Sequence, residues 1–158
     1  MNRGRLGKFE EYWPSPPRTL YGKRLMAMSR AASSPNAAEP YIREIRDTFP
    51  AEAQVLLGLN RLHRDSFDTA FSKFEAGLAM QHENGWADIG VMNLVCASLS
   101  AEASTFTASQ QEKLFRALEK PFPSDVSGPM RMDLLSELSS MLGGDYPERL
   151  KGAHEMTR

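Results

Sequence analysis

No run of about 18 apolar residues occurs anywhere in the 158-residue chain, so no segment reads as a membrane-crossing helix. Cysteine is almost missing. Cys96 stands alone, no internal disulfide can form, and a stapled secreted module gives way to a reducing, cytoplasmic setting. An excess of either charge is lacking too. Nineteen Lys and Arg against 20 Asp and Glu leave a net charge of −1, which excludes a chain-wide field for polyanions. The P-loop, the dinucleotide glycine fingerprint, the G-x-S-x-G elbow and H-E-x-x-H are all absent from the sequence. His63, His82 and His154 are not spaced as ligands on one helix face, and no Cys or carboxylate cluster accompanies them. No metal, cofactor or catalytic residue is therefore expected, and Cys96 reads as a buried, inert thiol rather than a nucleophile. The chain is expected not to be an enzyme.

What is present is ordinary globular material with a 41% hydrophobic and 25% charged composition. The charge is unevenly placed. Residues 1–30 hold seven cations and two acids, +5, so the remainder sums to −6. Within residues 1–18, Pro14, Pro16 and Pro17 block helix and sheet interiors, which predicts an extended segment. Its aromatics and cations, Phe9, Tyr12, Trp13, Arg3 and Arg5, suggest a contact strip laid on the chain's own surface or on a partner.

Apolar residues beyond this strip recur at three- and four-residue steps, and no alternating strand pattern of convincing length is found. The fold class is all-α. Helices are predicted over 19–32, from an Asn36 cap to about 49 (with Pro40 moving the start later), over 51–64, 67–78, 86–99, 109–120 and 129–142. Ser109 and Glu112 fit a capping box. Gly143 and Gly144 end the last good helix, and residues 145–158 are expected to add one short turn before fraying. The helical domain then covers 19–144, and the two helices on either side of Asp65 and Ser66 must form an antiparallel hairpin.

The span 51–84 is 34 residues long and resembles a tetratricopeptide repeat in the placing of Leu57, Gly58, Phe67, Ala70, Phe74, Gly77 and Leu78. Gln54, Arg61 and His82 stand where that repeat has tryptophan, tyrosine and proline. Residues 19–50 and 85–121 have room for degenerate units on either side. The resemblance implies antiparallel helix hairpins stacked as a short α-solenoid, and a non-catalytic role as adaptor, assembly factor or chaperone. It further implies a peptide or helix partner in a groove lined by Glu52, Val55, Leu56, Leu59 and His63, then by Ile89 and Asn93. The alternative partner-facing element is the N-terminal strip, which would anchor the chain in a larger protein or ribonucleoprotein assembly. Nucleic acid is the weaker partner at a pI near 6.3.

Overall fold

The computed structural model describes residues 16–62, 64–84, 88–120 and 128–155. Among them every regular element is helical: α1 (Leu20–Ser33), α2 (Pro35–Ile45), α3 (Pro50–Leu62), α4 (Phe67–Asn84), α5 (Ile89–Glu102), α6 (Ala108–Leu118), α7 (Gly128–Leu142) and α8 (Tyr146–Glu155), with a 3-10 turn at Ala103–Thr105. They fall into two compact units, Met1–Met80 and Gln81–Arg158, with the division inside α4.

The first unit begins at Thr19, whose extended backbone and side-chain oxygen cap α1 by accepting from the Gly22 N–H at 3.1 Å. α1 and α2 are joined by Ser34 alone and pack along one another, with Ala27, Ala31 and Ala38 fully buried. α2 starts at Pro35, where a missing N–H is harmless, rather than after an Asn36 cap. Pro40 does not delay the start but sits inside the helix. The bond it removes is the one to the Asn36 carbonyl, and Asn36 is exposed to water. α2 also ends at Ile45, not near Phe49, because residues 46–48 turn the chain so that Pro50 can open α3.

α3 and α4 approach closely at two glycines. A Cβ on Gly58 would stand 2.8 Å from the Phe74 ring, and one on Gly77 would stand 2.8 Å from the Ala51 carbonyl and run into Val55. Only glycine permits that separation. Ala70 is fully buried beside them on α4, while α1 and α2 pack on α3 as well. α1 also contributes a charge. Arg24, 8% exposed, donates from Nε to Glu52 at 2.5 Å and from Nη2 at 3.2 Å, with its guanidinium 5.3 Å from the Phe49 ring centroid.

In the second unit Asp88 caps α5, accepting from the Val91 N–H at 2.8 Å, and Val91, Met92, Val95, Cys96 and Leu99 turn inward. α6 does have a capping box, but two residues earlier than Ser109 and Glu112. Thr107 accepts from Gln110 N, and the Gln110 side chain accepts from Thr107 N at 2.9 Å. Thr107 takes this place because its backbone is extended (φ −66°, ψ 158°), as an N-cap requires. α7 packs on α5, α6 and α8 through Leu134, Leu135 and Leu138. Its Arg131, 0% exposed, donates to the Leu118 carbonyl at 2.8 Å, placing a cation at the negative C-terminal end of α6.

Gly143 and Gly144 adopt φ of 65° and 62° and end α7 as the sequence predicts. The segment after them is not one fraying turn but a ten-residue helix. Tertiary contacts hold it. Tyr146 meets Phe115 edge-on at 5.0 Å, and Arg149 forks onto Glu119 at 2.7 and 3.2 Å. His82 lies on α4 just past the division, where partial burial and the nearby cations Lys120 and Arg131 hold its pKa below the ordinary value.

Two outcomes follow from this packing. Gly77→Ala should lower stability by about 2–4 kcal/mol in urea unfolding, since the added methyl meets backbone. Gly152→Ala, where a Cβ meets nothing within 4 Å, should instead raise it by about 0.5–1 kcal/mol. For His82, the unfolded chain takes up its proton at higher pH than the folded one. Stability is therefore complete above about pH 6.5 and declines as pH falls toward the depressed folded value. His82→Gln should flatten that decline in thermal melts recorded between about pH 7 and 5.

Candidate binding cleft

The resemblance placed a groove on α3, and the structure closes that face. Glu52 is 1% exposed, and Val55, Leu56 and Leu59 are 0% exposed. The physical reason is that α3 is covered from several sides: α4 abuts Val55 through Gly77, and α1 delivers Arg24 to Glu52. These residues are buried core. Of the other groove positions, Ile89 is exposed in the first turn of α5 and Asn93 is half-buried, both in the second unit. His63 lies outside the described residues, as do Arg3, Arg5, Phe9, Tyr12 and Trp13 of the N-terminal strip.

A different surface of the first unit has the shape of a site. An open cleft of about 720 Å³ is lined by Pro16, Pro17, Arg18, Lys23, Arg30, Ala37, Pro40, Tyr41 and Glu44. Helical periodicity explains why these residues meet. Lys23 and Arg30 are seven apart on α1, and Ala37, Pro40, Tyr41 and Glu44 follow at three- and four-residue steps on α2. The one-residue joint at Ser34 folds the two helices into a hairpin, so these stripes share an edge. Pro16, Pro17 and Arg18 run up to the Thr19 cap along that edge.

Three cations face one acid here. Lys23 pairs with Glu44 across the hairpin, with side-chain exposures of 25% and 46%. The Arg30 guanidinium lies 5.1 Å from the Tyr41 ring centroid and approaches the Ala37 carbonyl at 3.5 Å. Arg18 is exposed and has no hydrogen bond or ion pair among the described residues. The apolar lining comes from proline rings and Tyr41, and Leu20 and Tyr21 are large exposed side chains immediately along α1, 44% and 62% exposed.

The cleft holds no His, Cys, Ser or Thr. Among the described residues no group of three or more His, Cys, Asp or Glu is placed to hold a metal ion, and Cys96 is buried in α5. Sequence reasoning missed this cleft because it weighed Pro40 only for its effect on the helix start and did not single out Tyr41. The legible signal was the Lys23–Arg30 spacing opposite a Pro-Tyr pair.

Comparison with protein-family models, curated proteins and solved structures found no match to this chain.

The cleft charges should be separable from the charges that hold the fold. Arg24→Ala, which leaves Glu52 buried, should cost about 3–5 kcal/mol in chemical unfolding, whereas the Arg24→Met/Glu52→Leu double variant should recover most of that loss. Arg18→Ala and Glu44→Ala should each change stability by less than about 1 kcal/mol.

Proposed function

We propose that this chain is a non-catalytic protein-interaction module of tetratricopeptide-like helix hairpins, acting as an adaptor, assembly factor or chaperone. The observation that carries the reading is the α3–α4 hairpin. Gly58 lies against Phe74 and Gly77 against Val55 and Ala51, so the small and aromatic residues of the 34-residue pattern meet where such a repeat needs them. Two more features support it. α1 packs on α3 as well as on α2, so the first helices of successive hairpins touch. The second unit likewise runs as short helices, with α5 and α6 both packed on α7.

The partner surface is not the face the repeat pattern first suggests, because that face is buried. The exposed apolar and cationic edge of α1 and α2 takes its place. Arg18 also belongs to the basic, aromatic strip of residues 1–18, which favours as second reading a structural subunit anchored through its N-terminal region.

The reading is tested by placing a photo-crosslinking residue at Tyr21 or at Lys151 in the full chain, in its native cell. A discrete adduct from position 21, competed away by excess unmodified chain and weaker from position 151, is expected. No competable adduct from either position, or substrate turnover by the purified chain, would overturn it.

A further inference from the structure

We infer that the α1–α2 cleft holds an extended, acidic segment of the partner protein. This deepens the interaction-module reading and rests on it.

The first ground is charge. Arg18, Lys23 and Arg30 line one cleft against Glu44, so the surface is cationic although the whole chain carries −1. The engagements of Arg18 and Lys23 leave room for carboxylates. Arg18 has no ion pair or hydrogen bond among the described residues. Lys23 is tied only through a part-exposed pair with Glu44, the kind whose net contribution is small enough for an incoming carboxylate to displace. Arg30, over the Tyr41 ring and near the Ala37 carbonyl, adds its positive charge to the same surface.

The second ground is shape. A cleft of about 720 Å³ falls within the roughly 300–1,000 Å³ typical of ligand sites, and it is open enough to admit a chain passing through. Pro16, Pro17 and Pro40 are rigid walls, so little side-chain freedom is lost when a guest covers them. Tyr41 offers an aromatic face to apolar or proline side chains between the acids. An extended segment alternating acidic with apolar or proline residues matches both features. A helix would turn most of its charge away from the cations.

A polyanion such as RNA is the less suitable guest. Its uniformly spaced charge leaves the apolar faces of Tyr41 and the proline rings without a matching guest group. A short acidic peptide stays where the cations are.

The experiment is fluorescence anisotropy of the full chain with a fluorescein-labelled peptide alternating Glu with Pro and Leu, at about 0.15 M salt. The same peptide with Lys for Glu and an oligouridylate of equal length are run beside it. Saturable binding of the acidic peptide alone is expected, weakened by about tenfold or more in Arg18→Glu and in Lys23→Gln. Both variants should keep the wild-type melting temperature, since Arg18 lies outside the helices and Lys23→Gln keeps its methylene stem. Equal affinity of wild type and variants overturns the proposal, as does equal binding of the lysine peptide. So does tighter binding of the oligouridylate, or no saturation at all. Two other occupants are also read out. A Lys8–Lys23 crosslink that survives saturating peptide would put the chain's own strip in the cleft, and a self-association lost in Arg18→Glu would put a second copy there. Either would overturn it. A competable adduct at position 21 without peptide binding leaves the module reading standing and removes only this inference.

Discussion

The contact on which the first unit depends is the near-touching of α3 and α4 at two glycines. Packed helices usually sit about 8–10 Å apart, with side chains filling the gap. At Gly58 and Gly77 the gap is filled from one side only, by the Phe74 ring and by Val55 together with the Ala51 backbone. Neither position has room for a methyl group, so the helices cannot part without opening a void, nor close further without collision. With one side fixed this way, α3 meets α1 and α2 elsewhere on its circumference. Ala51, Glu52, Ala53, Val55, Leu56, Leu59 and Asn60 are consequently all buried. A helix surrounded to that degree cannot also present a trough.

That consequence explains what could and could not be read in advance. The hairpin was legible because glycine and aromatic residues at fixed spacing admit few explanations besides close helix packing. The exposure of its other face was not, because periodicity identifies an apolar stripe without naming what covers it. Glu52 is the instructive residue. A carboxylate on a helix reads as surface, and only Arg24, 28 residues earlier, turns it into core. The same limit hid α8. Residues 146–155 have little apolar content of their own, and their helix is held by Phe115 and Glu119, about thirty residues back. The capping box on α6 shows a smaller version, in which two overlapping candidates differ only in which residue adopts extended backbone.

Arginine is used in two opposed ways. Arg24 and Arg131 are removed from water and spend their donors inside the protein, one on a carboxylate and the other on helix-end carbonyls. In such places a charge fixes geometry, since any shift leaves a desolvated ion without its partner. Arg18, Lys23 and Arg30 sit on the other side of that balance. Lys23 pairs with a part-exposed Glu44, Arg30 lies over an aromatic ring, and Arg18 has no ion pair among the described residues.

Cations that contribute little to folding remain free to contribute to recognition. A salt bridge at the surface is nearly neutral because both ions keep most of their hydration whether paired or not. Exchanging Glu44 for a guest carboxylate at Lys23 therefore costs almost nothing. A further carboxylate at Arg18 adds attraction without first breaking an internal ion pair. The proline walls act in the same direction by removing the ordering that a flexible rim would need. On this balance discrimination, more than tightness, is what the cleft is suited to supply. Reversing the sign of a guest's charges replaces three favourable approaches with three repulsive ones, while the apolar contacts stay unchanged.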